Sequence, residues 1–262
     1  MIASFFQSLE EHRVAYLLIS GQATVLYGAA TFSEDIDLWL NPARENIERF
    51  RNALAAAGGR YYKLTPPLEP AFYNAGHGFH FTFGNPPGDE VFLDVMGRPP
   101  RTREFAAAFA ESRHFPTEWG VLPTVGIPDL VELKKTQRLA DYPIISALTL
   151  RHLEEQSTAT SGADLAWAAA NLFTIDSFFA FSESFPQWIG SAPPGTSPSL
   201  LAAVGQPLDE IPDEVLSEIS QWLAEAVARH QLADRLYWRK IIAELRELRA
   251  QGQLMAEGAP VR

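Results

Sequence analysis

The 262-residue chain contains no cysteine. That absence excludes disulfide frameworks, thiolate zinc sites, iron–sulfur clusters and cysteine nucleophiles, so any bound metal is held by oxygen or imidazole. There is also no run of about 20 apolar residues, the length a membrane-spanning helix requires. The opening MIASFFQSLEEHR has acidic residues but neither a basic leader nor a sustained apolar stretch. It reads as neither signal peptide nor anchor, and a cytoplasmic protein with no membrane partner is expected. Positive charge is scarce as well: 21 basic against 32 acidic side chains leave a formal net charge of −11. Non-specific nucleic-acid affinity comes from neutralising phosphates with Lys and Arg. The balance therefore argues against a broad nucleic-acid coat and leaves room for a local basic groove. Hydrophobic residues make up 47% of the chain and charged residues 20%. Those proportions describe a globular protein with one full core and a smaller second unit.

Apolar periodicity predicts a short amphipathic helix over 2–12, a strand over 14–19 and a helix over 21–27, so Ser20-Gly21 lies where a strand hands over to a helix. A short strand follows over 35–40 with acidic residues at its start. Pro42 then suits the first turn of a helix that stops at Gly58-Gly59. Strands are expected over 60–64, 78–83 and 90–96, the last two joined by the turn formers Gly84 to Asp89 as a hairpin of a mixed sheet. Residues 104–110 read as helix and 121–125 as extended. Pro128 opens a helix through Lys134, Lys135 and Arg138, and Pro143 opens another to Glu155. From Ser157 the composition changes: a small polar linker over 157–162 precedes helices over 163–185, 199–204 and 213–249, with a Pro-, Gly- and Ser-rich loop over 190–198. The expected fold class is α+β (α/β), a mixed β-sheet flanked by helices over 1–156 followed by an all-helical region over 157–262.

The chemistry concentrates in Ser20-Gly21-Gln22-Ala23 and Asp35-Ile36-Asp37. Residues two apart on a strand share a face, so Asp35 and Asp37 project side by side. Paired carboxylates repel unless a cation sits between them, and a hard divalent ion held by carboxylates plus substrate phosphate oxygens is the natural partner. Asp94 lies within Val91-Phe92-Leu93-Asp94-Val95-Met96, where a charge among buried-type residues needs a reason. Sharing that metal would supply one. The Ser20-Gly21 turn brings backbone N–H groups and a hydroxyl to a helix N-terminus, which suits a phosphate. Together these features describe two-metal phosphoryl or nucleotidyl transfer.

The order strand, small-residue turn, helix, Asp-x-Asp strand and later Asp-bearing strand resembles the nucleotidyltransferase superfamily with the DNA polymerase β type fold. Ile19-Ser20-Gly21-Gln22-Ala23 with Ser33-Glu34-Asp35-Ile36-Asp37-Leu38, and the run Leu133 to Tyr142, resemble more narrowly its bacterial branch of AbiEii-like toxins of abortive-infection systems and related proteins. The resemblance covers about the first 155 residues and does not extend to the helical tail. It implies that Asp35 and Asp37 bind Mg²⁺ or Mn²⁺, that Asp94 shares a metal and helps deprotonate the attacking group, and that Ser20 and Gly21 hold the triphosphate of an NTP substrate. The family's usual Gly-Gly or Gly-Ser pair is Ser20-Gly21 here. An Arg often found four positions before the first Asp is replaced by Thr31.

Several residues keep two readings. Lys134 or Lys135 with Arg138 would neutralise nucleotide phosphates if the helix persists, or Arg138 and Asp141 form a surface ion pair. His77 and His80 would orient a substrate or act as a base, or serve structure. Glu34 is an outer acid or simply solvated, and Tyr27 reaches the pocket or stays in the core. Trp39, Phe79, Phe81 and Phe83 read as core, and the tail aromatics Trp167, Phe173, Phe178, Phe179, Phe181, Trp222 and Trp238 as core or homodimer interface. Arg229, His230, Arg235, Arg239, Lys240, Arg246 and Arg249 form a local groove or, with Glu244 and Glu247 interleaved, a solvated face. The expected activity is Mg²⁺-dependent transfer of an NMP to a hydroxyl of tRNA or protein, as a toxin with an antitoxin partner. The alternatives are an aminoglycoside-type small-molecule nucleotidyltransferase and an inactive binding module of the same fold.

Overall fold

In the strands around Asp37 every second residue is large and apolar, and that period assigns the two faces of a sheet. The structure is a computed structural model that describes residues 1–84, 90–156, 160–192 and 194–262. Residues 85–89 of the expected hairpin turn, 157–159 of the expected linker and Pro193 of the expected 190–198 loop lie outside the described residues. The elements in chain order are α1 (Ile2–Glu11), β1 (Tyr16–Leu18), α2 (Ser20–Leu26), β2 (Ile36–Leu40), α3 (Arg44–Ala56), β3 (Arg60–Tyr61), α4 (Pro70–Ala75), β4 (Gly78–Phe83), β5 (Val91–Met96), α5 (Phe105–Ala110), β6 (Arg113–Thr117), β7 (Gly120–Thr124), α6 (Ile127–Lys134), α7 (Asp141–Gln156), α8 (Gly162–Ala170), α9 (Ile175–Ser184), α10 (Pro198–Ala203) and α11 (Asp213–Ala250). Among the described residues no helix is long and apolar enough to cross a membrane.

Among the described residues seven strands form one mixed sheet in the order β3-β4-β5-β2-β1-β7-β6. β2 runs parallel to β5 and β1 parallel to β7, while the other neighbours are antiparallel. This is the α+β (α/β) class expected. One face carries Ile36, Leu38 and Leu40 of β2, Leu93 and Val95 of β5, and Phe79, Phe81 and Phe83 of β4. These pack against Phe5, Phe6 and Leu9 of α1 and Phe50 and Leu54 of α3. The Phe81 ring lies 5.9 Å from Phe50 and 5.6 Å from Tyr61. Each such side chain stabilises the fold by about 1.5–3 kcal/mol on burial. Asn46 ties α3 to the entry of β1: its Oδ1 accepts from Ala15 N at 2.7 Å, and its Nδ2 donates to Ala15 O and Asn41 O.

Compact packing divides the chain into Met1–Leu133 with Tyr237–Arg262, and Lys134–Leu236. The boundary expected after residue 156 is thus replaced by two crossings, at 133/134 and 236/237, and there is a physical reason at each end. α7 packs its Leu153 into a cluster with Leu165, Phe178, Phe181, Trp188 and Leu223, so it belongs with the helices that follow. Residues 237–262 return to the sheet. Tyr61 N donates to Ala259 O and Val261 N to Gly59 O, Pro260 bridges Arg60, and Val261 is buried in the sheet's core. Beyond the last expected helix, which α11 matches, residues 259–261 pair along the sheet edge. The last part of α11 is held by His77, whose fully buried ring bonds Glu244 at 2.8 Å. Beside it Gly76 has φ +89°, and a Cβ there would lie 2.2 Å from Tyr237 Oη. Only glycine meets both conditions.

Other sequence expectations shift locally. The strands expected over 14–19 and 60–64 shorten to β1 and β3, and β6 pairs with β7 where no strand was expected. The helix expected over 163–185 breaks into α8 and α9 because Thr174 caps α9, its side chain accepting from Ser177 N. Ser161 and Asp164 form a capping box at the start of α8.

β3 is an edge strand, and the chain end covers it. Deleting residues 259–262 removes the buried Val261 and leaves the β3 edge unpaired, so thermal denaturation should show a lower midpoint and light scattering should show association. An unchanged midpoint with a monomeric sample would show that the end contributes no such cover.

Candidate active site

Strand register decides which carboxylates meet. β5 lies between β4 and β2, with His80 opposite Asp94 and Asp94 opposite Asp37. Because Phe79, Phe81, Leu93, Val95, Ile36 and Leu38 face the core, alternation sends His80, Asp94 and Asp37 to the other face as one row. Neighbouring strands lie about 4.8 Å apart, so the carboxylates of Asp37 and Asp94 are held as close neighbours. His80 Nδ1 meets Asp94 Oδ1 at 2.7 Å, with the two side chains 28% and 32% exposed. An ionised carboxylate only accepts, so Nδ1 carries the proton. Buried Thr65 fixes the His80 backbone: its Oγ1 accepts from His80 N at 3.0 Å and donates to Tyr62 O at 2.8 Å. Two residues beyond Asp37 the same face is closed, since Trp39 is buried, donates from Nε1 to Gly97 O at 3.1 Å and meets Phe105 of α5 edge-on at 5.7 Å.

The Ser20-Gly21 turn joins the row through β1. Ile19 N donates to Asp37 O at 3.0 Å, which sets the turn beside the Asp37 backbone. Ser20 has φ +57°, in the left-handed region, and a non-glycine residue held there costs about 1–3 kcal/mol. A Cβ on Gly21 would lie 2.2 Å from Ser33 Oγ, so the loop before β2 sits directly over that glycine. Gln22 Nε2 donates to Ser33 O at 2.9 Å and Thr24 Oγ1 to Ser20 O at 2.7 Å, stitching loop and turn together. Among the described residues no side chain caps the first turn of α2. Asp35 stands in the bend just ahead of β2 and not on the strand, so its closeness to Asp37 follows from sequence adjacency and not from strand alternation. Glu34 is exposed. Tyr27 is buried, its Oη donating to Val125 O at 2.9 Å.

The basic cluster departs from expectation. α6 ends at Lys134, so Lys134 and Arg138 do not share a helix face. The cause is local: Thr136 Oγ1 donates to Asp141 Oδ2 at 2.6 Å and accepts from Arg138 N, while Tyr142 Oη donates to Thr136 O. These bonds offer the backbone a turn in place of another helical one. The ion pair here joins Lys134 Nζ to Asp141 Oδ1 at 3.2 Å, in place of the Arg138–Asp141 pair expected. Lys135 is buried, Arg138 is exposed, and all three basic residues belong to the second unit. His77 is fully buried and bonded to Glu244.

Among the described residues no three His, Asp or Glu side chains converge closely enough to hold a metal ion. Asp37 and Asp94 are nonetheless brought together, and Mg²⁺ ordinarily takes one or two carboxylates and completes its shell with water and substrate phosphate. The donor set fits such an ion in chemistry, all oxygen with one flanking imidazole. The sequence pattern under-reads His80 and leaves Thr65 unmarked; the signal for His80 was its place in the alternation Gly78, His80, Thr82 against Phe79, Phe81, Phe83. No family model matches the chain, and none of the curated proteins is significantly similar to it.

Gly21→Val would drive a side chain into Ser33, and overpacking of this kind costs about 1–3 kcal/mol. Urea unfolding is expected to show that loss, whereas an unchanged midpoint would mean that the loop over Gly21 gives way freely.

Proposed function

We propose that the protein is a divalent-metal-dependent nucleotidyltransferase that moves an NMP from an NTP to a hydroxyl acceptor. The single observation that carries this reading is the in-register pair Asp37 and Asp94 on neighbouring parallel strands, with the strained Ser20-Gly21 turn at the same end of the sheet. Asp37 and Asp94 would hold Mg²⁺ or Mn²⁺ together with substrate phosphate and water, and Asp35 stands in the adjoining bend. Such an ion, when bound, neutralises charge on the triphosphate and draws it toward in-line attack. The chain's own residues supply the rest. Ser20 and Gly21, at the turn beside the Asp37 backbone, would hold the triphosphate, as the resemblance implies. Asp94, its Oδ1 held by His80, keeps a fixed carboxylate beside Asp37 that takes the proton of the attacking hydroxyl. The hydroxyl oxygen bonds to the α-phosphorus, the bond from that phosphorus to the bridging oxygen breaks, and pyrophosphate leaves with the electron pair. The reading rests on the first unit alone.

The resemblance to abortive-infection toxins makes tRNA or a protein hydroxyl the acceptor of first choice and an antitoxin the expected partner. The excess of acid over base, 32 against 21, restricts any RNA contact to a local grip. The test incubates the protein with each labelled NTP and Mg²⁺ or Mn²⁺ in the presence of tRNA, cell protein or aminoglycosides. Label is expected on tRNA or protein; label on an aminoglycoside establishes the small-molecule alternative. Asp37→Asn and Asp94→Asn should each lower transfer by at least about 10²-fold while circular dichroism stays native. Absence of transfer to every acceptor, with nucleotide binding unchanged in Asp35→Ala, would establish the inactive binding module instead.

A further inference from the structure

The second unit contains a cavity of about 310 Å³ that the carboxylate row does not use. That volume is at the small end of ligand sites, which run from about 300 to 1,000 Å³. Its walls are aromatic. Trp188 is wholly buried, with Phe178 edge-on at 5.3 Å, and among the described residues its Nε1 has no hydrogen-bond partner. Trp222 stands half-buried, its ring fixed by Nε1 donating to Gly195 O at 3.2 Å. Alanines of α8 and α11, Ala170 and Ala226 among them, leave the space open. The polar lining is Thr196 with the basic residues Lys135, Arg229 and His230, and no Asp or Glu contributes among the described residues. In a chain of net charge −11 that is a local reversal of sign. Arg229 is exposed and forms no ion pair among the described residues.

We propose that this cavity binds a small anion bearing a planar aromatic ring, of the size and chemistry of a nucleoside monophosphate. Each part of the lining has a counterpart in such a ligand. The half-buried Trp222 offers its indole to a flat ring, with wholly buried Trp188 and Phe178 backing the wall, and a guanidinium pairs with phosphate or carboxylate through charge-assisted hydrogen bonds. An aliphatic acid would leave Trp222 unused, and a neutral aromatic would leave the cation unused. The site lies wholly within residues 134–236 and does not depend on the metal-site reading.

Calorimetric titration of the full chain with AMP and CMP in EDTA tests it, with adenosine and inorganic phosphate as half-probes. Expected is one-to-one binding of at least one monophosphate without metal, at least tenfold weaker binding of either half, and at least tenfold loss in Arg229→Ala and in the cavity-filling Ala226→Phe. Asp37→Asn should bind as the wild type does. The proposal is overturned if neither monophosphate binds at millimolar concentration, or if Arg229→Ala, an exposed substitution, binds unchanged. Binding that requires metal and is lost in Asp37→Asn also overturns it, since the ligand then sits at the carboxylates. That last result leaves the transferase reading standing, whereas metal-free cavity binding without NMP transfer removes only the transferase reading.

Discussion

The parallel pairing of β2 with β5 is the constraint on which the candidate site depends. It sets Asp37 directly beside Asp94, an arrangement two free carboxylates would avoid, and it does so in strands flanked on both sides, by β1 and by β4. The opposite face supplies the rigidity. Phe79, Phe81, Leu93, Val95, Ile36 and Leu38 are locked into the core, and a slip of one residue in any of the three strands would bury a carboxylate or imidazole and expose an apolar side chain. The electrostatic cost of the row is thus borne by hydrophobic burial on the reverse of the same strands. His80 eases part of it by donating to Asp94, and Thr65 keeps His80 in place from behind.

Around that row the backbone is drawn tight. Ser20 is held at positive φ, Gly21 has no room for a side chain, and the loop before β2 is fastened by Gln22 and Ser33. Strain of this kind persists only where neighbouring bonds over-determine it, here the β1–β2 ladder through Ile19 and the Thr24 bond back to Ser20. Turn, loop and strand entry therefore behave as one rigid piece at one end of the sheet.

Much of this was legible in the residues. The alternation of 78–83 and 91–96 and the Ser20-Gly21 handover follow from period and turn chemistry, and the structure places them as expected, whereas the expected Asp-x-Asp strand begins only at Ile36 and leaves Asp35 in the bend before it. That Asp94 joins Asp37 was expected from the cost of a charge in the 91–96 strand and from the resemblance, but the direct pairing of residues 37 and 94 is a long-range register that no local pattern encodes. His80 was under-read for the same reason: its partner lies on another strand. The end of α6 at Lys134 was hidden by side chains of Thr136, Asp141 and Tyr142 that bond the turn from outside the helix. The unit boundaries were hidden because composition changes near residue 157 whereas packing changes at 133 and 236.

The return of residues 237–262 to the first sheet makes the second unit an insertion in the first. Residues 134–236 are contiguous, so on a ribosome they can close upon themselves while the first sheet still waits for the strand-like segment that covers β3. During that interval the nascent first unit exposes an open edge and the hole Val261 will fill. The first unit is therefore completed only by residues that follow the segment inserted in it.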